Sequence, residues 1–288
     1  MQNATATSWL LLLCAGAMPL PAQAQAEPVN TVPWAYATWF GTGWYEIGDE
    51  RDAFALRIVP RVEWREAALS DDGERRVGIH FRFPVTVGLN QFPLDDLAGS
   101  VDPDNLANIS VTPGIYFDVP VSERWSLRPF AAAGWGSVLN GSDSAWTYWA
   151  GIKSRWRLTD GSPELALINA AGFVGYSPDE GRSEQFWPLE TALELTHPVA
   201  ELDEGNDRLQ LVWHVKHTHF HGSLDLLDAD GTGAEVNEQW ELGLAFARRD
   251  APIRIWRLEF DRLGLAYRLS SGGGLRGVGL IFRSLFDE

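Results

Sequence analysis

Cysteine is all but absent: one, Cys14, occurs in 288 residues beside two methionines, and it lies in the N-terminal segment. Once that segment is removed, no disulfide or thiol chemistry remains, and stability has to come from β pairing and packing. Basic residues are also scarce. The 23 Lys and Arg face 39 Asp and Glu, a formal charge of −16, and none of the charge falls in the first 26 residues. A surface of that sign repels nucleic acid, which is therefore not an expected partner. Missing too is any run of the 18 or so uninterrupted apolar residues that a spanning helix needs, and mean hydropathy is −0.15. Those absences exclude a helical membrane bundle. They leave a membrane barrel open, because only alternate residues of its strands face lipid.

Glycine and aromatics are plentiful: 28 Gly, 14 Trp and 14 Phe. Many strands, tight turns and aromatic-rich surfaces follow from such a composition, which favours an all-β fold. The N-terminus reads as a secretory signal. An apolar core from Trp9 to Leu13 continues through Cys14 and Ala15, and small-residue sites follow at Ala22-Gln23-Ala24 and Ala24-Gln25-Ala26. Its n-region departs from the usual pattern in having no Lys or Arg. Leu13 stands where a lipidation signal wants a small residue, so Cys14 is an apolar filler. The expected organisation is a cleaved signal peptide over 1–26 and one β domain over 27–288.

From residue 33 onward the chain repeats a cycle of 10 to 16 alternating residues followed by turn formers. Val77, Ile79, Phe81, Phe83, Val85 and Val87 share one face, and Arg76, Gly78, His80 and Arg82 share the other. The same alternation sets Phe54, Leu56, Ile58, Val62 and Trp64 against Arg57, Arg61, Glu63 and Arg65. It sets Trp146, Tyr148, Ile152 and Trp156 against Lys153, Arg155 and Arg157. Sandwich strands are usually about 5 to 6 residues long, whereas a tilted spanning strand needs roughly 9 to 11. Length therefore points to a closed antiparallel transmembrane β-barrel of about 12 strands, beginning near Trp34, Ala53, Arg75, Leu106, Trp125, Ala145, Glu164, Gln185, Arg208, Val236, Ile253 and Leu275.

With the mature N-terminus periplasmic, turns such as Val121 to Arg124 and Asp250 to Pro252 lie on one side. Longer loops such as Gln91 to Asn105 and Gly222 to Glu235 lie on the other. Trp34, Trp39, Trp44, Trp64, Trp125, Trp146, Trp187 and Trp240 fall toward strand ends or on the apolar phase, as interfacial girdles require. In the eleventh strand the apolar phase runs through Trp256, Leu258 and Phe260 and then switches to Leu263, Leu265 and Tyr267, which predicts a β-bulge near Asp261 or Arg262.

The segment Leu275 to Phe286 looks like the C-terminal signature by which outer-membrane proteins are recognised for assembly, with Asp287 and Glu288 following the near-terminal Phe. With Leu263-Gly264-Leu265-Ala266-Tyr267-Arg268-Leu269 it resembles the end of the solitary autotransporter-like β-barrel family. The resemblance covers about 25 residues. It implies a twelve-stranded outer-membrane barrel without a passenger domain, assembled by the barrel-assembly machinery and in contact with outer-membrane lipid and lipopolysaccharide. Only about seven residues separate the expected cleavage site from the first strand, too few for a passenger or for the long helix that threads such barrels. The family has no chemistry to carry over residue by residue.

One cluster invites a chemical reading, since His217, His219 and His221 share a strand face with Leu211, Trp213 and Val215 and so point outward. A His-x-Ser pair there resembles outer-membrane phospholipase A and the lipid A deacylases. Carried over, the catalytic candidates are His221, Ser223 and, by strand phase, Glu238. Leu224 follows Ser223 where those families have Asn, and Gly222 to Ser223 reads as the start of a loop, a poor platform for a dyad. The alternative is interfacial histidines facing lipopolysaccharide phosphates, metal capture by His217, His219 and His221, or pH-dependent gating. No cysteine completes a recognisable metal site. The run Asp228-Ala229-Asp230-Gly231 lacks the twelfth-position Glu of a calcium loop, and Ser271-Gly272-Gly273-Gly274 has no helix to make it a phosphate cradle, so no cofactor is expected.

The inward face carries Arg57, Arg61, Arg65, Arg82, Lys153, Arg155 and Arg157 against Glu63, Glu190, Glu194 and Glu241. Such a lumen is either plugged by cross-strand salt bridges or lined as a narrow pore. Twelve strands enclose less space than a porin's sixteen to eighteen, which favours the first. The expected role is therefore structural, in interaction or in small-solute passage, with a lipid esterase as the rival.

Overall fold

The computed structural model describes residues 41–48, 51–70, 73–90, 106–138, 144–179, 183–201, 208–227, 233–249, 251–255 and 258–288, all strand and turn. The segments are β1 (Gly43–Ile47), β2 (Arg51–Ile58), β3 (Arg61–Arg65), β4 (Ala68–Leu69), β5 (Arg75–Arg76), β6 (Gly78–Arg82), β7 (Val85–Asn90), β8 (Leu106–Val111), β9 (Gly114–Pro120) and β10 (Trp125–Val138). They continue as β11 (Ser144–Arg157), β12 (Glu164–Pro178), β13 (Glu184–Glu201), β14 (Arg208–Leu227), β15 (Gly233–Arg248), β16 (Ile253–Ile255), β17 (Leu258–Phe260), β18 (Arg262–Ser270) and β19 (Leu275–Ile281).

All pairings are antiparallel and the order closes on itself. β19 pairs with β1 through Tyr45↔Gly277, and β10 pairs with β11 from Trp125↔Trp156 to Ser137↔Ser144. Three wall strands are interrupted once each, at Val59-Pro60 between β2 and β3, at Phe83-Pro84 between β6 and β7, and at Thr112-Pro113 between β8 and β9. Counting each of those pairs as one strand gives a closed twelve-stranded barrel. Proline has no N–H to give the ladder, but its carbonyl still accepts. The Phe83 amide donates to Pro60 O at 2.9 Å, the Thr112 amide to Pro84 O at 3.0 Å and the Ala133 amide to Pro113 O at 3.1 Å. Side-chain phase survives the interruption, since Arg82 and Thr86 both face inward and are buried.

The two faces separate as a period of two dictates. Leu189, Leu193, Trp213, Val215, Leu242, Phe246 and Leu265 are exposed on the outside. Trp146, Trp187 and Trp240 stand toward the far end of the barrel, which carries the 271–274 turn; Trp64, Trp125 and Trp156 stand toward the near end, which carries the 121–124 turn. A rise of about 3.3 Å per residue and a tilt of about 40° put Trp146 and Trp156 about 25 Å apart along the axis, the height of an apolar band on a membrane barrel. Trp34 and Trp39 lie outside the described residues.

Four expectations need comment. The start of the first strand near Trp34 lies outside the described residues, where β1 is described from Gly43. The eleventh strand does not run from Ile253 through a bulge. β16 and β17 form their own two-stranded ribbon, and the wall strand begins at Arg262; the phase switch marks the boundary between two elements. The stretch Gly222 to Glu235 is mostly strand, because β14 runs to Leu227 and β15 starts at Gly233. Gly222, with φ of +76°, absorbs the register shift between His219 and Leu224 that lets the ladder resume, which is what a bulge does and why composition alone suggested a loop. Finally, the connection between β7 and β8 is the long one at the far end, where others such as 139–143 and 271–274 are short; at the near end the expected turn at Asp250 to Pro252 belongs to a longer excursion from Arg248 to Arg262 that carries β16 and β17.

Gly134 of β10 sits where three strands meet. A Cβ there would collide with the Val111 carbonyl oxygen and the Thr112 backbone. The variant Gly134→Val is expected to lose the β8–β10 pairing, read as loss of the fast-migrating folded band in unheated gel electrophoresis.

Candidate functional site

The lumen is where this chain has concentrated its charge, and it is occupied by the chain itself. After β19 the backbone leaves the wall. Residues 282–288 turn inward, with the Asp287 amide donating to Ser284 O at 2.8 Å and the Ser284 hydroxyl donating to Asp287 Oδ2 at 2.6 Å. Arg82 Nη1 donates to the Asp287 main-chain oxygen at 2.6 Å. Arg128 Nη1 donates to Phe286 O at 2.7 Å and to Asp287 Oδ1 at 2.6 Å, while its guanidinium carbon lies 4.1 Å from the Phe286 ring centroid. Lys153 Nζ donates to Leu285 O at 3.2 Å and to the Glu288 main-chain oxygen at 2.9 Å; Lys216 Nζ lies 3.6 Å from Glu288 Oε2. Leu285 packs with Ile168 and Ala192. One seven-residue segment thus touches β6, β10, β11, β12, β13 and β14.

This corrects the reading of Leu275 to Phe286 as a single terminal strand. β19 ends at Ile281, and Phe286 is buried in the lumen. The aromatic that closes the strand on the outside is Phe282, whose ring lies 5.2 Å from that of Phe260. The only sequence signal for the inward turn was the pair Asp287-Glu288 after the Phe.

Two wall networks flank the plug. Glu241 on β15 accepts from Arg268 Nε on β18, lies 3.2 Å from Lys216 Nζ, and shares a 2.8 Å hydrogen bond with His214 Nε2; Arg268 Nη1 continues to Tyr45 Oη at 3.2 Å. Asp118 on β9 accepts from Arg128 Nε at 2.5 Å and lies 3.1 Å from His80 Nδ1. Glu194 accepts from Arg262 Nη1 at 2.7 Å. Unpaired, such ions would each cost several kcal/mol to bury, which is why nearly every one is met by a partner on the next strand. Above the plug, toward the far end, Tyr45, Ile47, Val174, Tyr176, Phe186, Phe220, Val236 and Leu275 form an apolar layer inside the barrel, with Phe186 and Phe220 edge to face at 5.8 Å.

The outward histidines fall where strand phase put them. His217 and His219 point outside, and Glu238 lies 3.9 Å from His217 Nε2 and 3.7 Å from His219 Nδ1. His221 is exposed opposite Trp187 of β13, and no ion pair between His221 and Glu238 is found among the described residues. The Ser223 side chain lies outside the described residues. No group of three or more His, Cys, Asp or Glu arranged for a metal occurs among the described residues.

A closed antiparallel wall of twelve strands with a filled lumen defines the class by its fold: a twelve-stranded β-barrel with the architecture of an autotransporter β domain. The β domain of the Bordetella autotransporter BrkA is similar, with a TM-score of 0.51 over 83% of this chain and 92% of that one, at 10% sequence identity, a likeness of fold. No family model matches the sequence, and no curated protein matches it.

Burial alone would raise the Asp287 carboxyl, but the Arg128 and Arg82 guanidiniums beside it, with the Ser284 hydroxyl, hold it well below the usual carboxylate range. A depressed folded-state pKa contributes stability that is present above the ordinary carboxylate value and lost as pH falls through the folded one. Hydrogen exchange across 282–288 is therefore expected to stay slow from pH 7 to about pH 4.5 and to accelerate only at lower pH. Asp287→Asn should bring that acceleration to neutral pH, at a cost of up to about 3 kcal/mol in plug docking.

Proposed function

We propose that the chain is an integral outer-membrane β-barrel whose lumen is held shut by its own residues, with a structural or interaction role at the membrane rather than free passage of solutes. The docked segment 282–288 carries this reading: its partners are spread over six wall strands, so it obstructs the lumen where a porin is open. The apolar layer toward the far end is a second obstruction of different chemistry. Support for the location is the alternation itself, with two aromatic belts about 25 Å apart and leucines between them. On this reading the outward partners are outer-membrane lipid and lipopolysaccharide, and the strand presented to the barrel-assembly machinery is Leu275 to Phe282, with Val278, Leu280 and Phe282 on its outer face.

Two measurements test it. The refolded chain in a planar bilayer should give no steady single-channel current, and ion-selective openings of the wild type would overturn the closed lumen. Expressed with its leader, the chain should migrate heat-modifiably in the outer-membrane fraction; a soluble periplasmic product would overturn the location. Leu193 is exposed in mid-belt between Leu167 and Val215. Leu193→Arg should cost about 2–4 kcal/mol in urea titrations of vesicle-inserted protein, whereas a water-facing position would tolerate it.

A further inference from the structure

Beside the plug lies a chamber of about 570 Å³, lined from Val174 and Trp149 past the plug to Arg61, Phe260 and Arg283 at the near end, inside the range of small-molecule sites. Phe130, Trp149 and Pro188 furnish its apolar side; Arg57 stands among the polar groups, which also include Glu190, Asp287 and Glu288. We infer that this chamber binds a small organic anion with an apolar body, the charge seated at Arg57 and the body against Trp149.

The argument rests on which polar groups already have partners. Arg82 and Arg128 meet Asp287, Arg268 and Lys216 meet Glu241, and Lys153 is committed to main-chain oxygens of the plug. Arg57 differs from all of these. No carboxylate lies within ion-pair distance of it among the described residues, and its Nε has no hydrogen-bond partner. Its backbone is fixed by the Thr42 hydroxyl, which accepts from the Arg57 amide at 2.9 Å and donates to the Arg57 carbonyl at 3.1 Å. Its guanidinium lies 5.0 Å from the Trp149 ring centroid, within cation–π range.

An unpaired guanidinium beside the apolar surfaces of Phe130, Trp149 and Pro188 forms a receptor for an anion with an apolar body.

The site uses the plug as one of its walls and so rests on the closed-lumen reading. The test is calorimetric titration of the full chain in zwitterionic lipid nanodiscs, empty nanodiscs subtracted, with 2-naphthoate as probe and neutral 2-naphthamide beside it. Saturable binding of one 2-naphthoate per chain is expected, at least 10-fold tighter than the amide. Arg57→Gln should weaken it 10- to 100-fold, as loss of a charged hydrogen bond does. Arg57→Lys should retain most of it. Ligand-free Arg57→Gln should unfold at a temperature no lower than the wild type, because it removes a cation without a partner. Absence of saturable binding, equal affinity for the amide, or indifference to Arg57→Gln would overturn the proposal. Should Arg57→Gln fail to give the folded band, Trp149→Leu, which removes the ring beside the guanidinium, serves the same comparison. A silent bilayer with no naphthoate binding removes the site and leaves the closed barrel; a conducting bilayer removes the closed barrel itself.

Discussion

Closing a sheet on itself gives each wall residue one of two fates, outward or into a space whose size is set by strand number. With twelve strands that space is too large for the wall's alanines and glycines to fill and too small to be a wide aqueous channel. Everything inside this barrel answers to that constraint. Large side chains enter from the wall at the far end as an apolar layer, and a piece of backbone enters at the near end where the wall offers guanidinium and ammonium groups. Paired ions cross the rest from strand to strand. Adjacent strands place their inward residues about 5 Å apart, so an acid on one strand and a base on the next need no loop to find each other.

That economy explains the charge distribution. The chain is strongly acidic, yet Arg82, Arg128, Lys153 and Lys216 all point inside, and they meet the backbone carbonyls of Leu285, Phe286 and Asp287 as well as the Asp287 and Glu288 carboxylates. A carbonyl carries no net charge to desolvate, so a cation can be satisfied by it without a second buried ion. The plug is held by its backbone carbonyls together with the side chains of Leu285, Phe286, Asp287 and Glu288.

Much of the architecture was legible in the sequence because it follows from a period of two, and a period is visible in one chain. The outward placement of His217, the inward placement of Arg82 and Glu241, and strand starts such as Leu106, Trp125, Glu164 and Arg208 are each read by counting. What counting could not reach were the places where the chain leaves the wall. Phe286 continues the alternation of β19 without a break, and nothing in its neighbours says that the strand has stopped at Ile281; only the cations of distant strands decide that. The ribbon of β16 and β17 was misread for the opposite reason, a real loss of phase ascribed to a bulge within one strand. The unpaired state of Arg57 is likewise a fact about strands far apart in sequence, and no local pattern announces it.

The prolines at 60, 84 and 113 lie on three neighbouring strands, each withholding one amide from the ladder. A line of missing donors across adjacent strands is a seam, and a sheet that breathes opens first where it has fewest cross-links. Arg283 Nη2 donates to Val59 O beside the first of these prolines at 2.5 Å, and Arg82 grips the plug two residues before the second. The segment inside the lumen therefore also acts as a clasp across the wall's least bonded line, and the barrel's resistance to opening there depends on residues that belong to none of its strands.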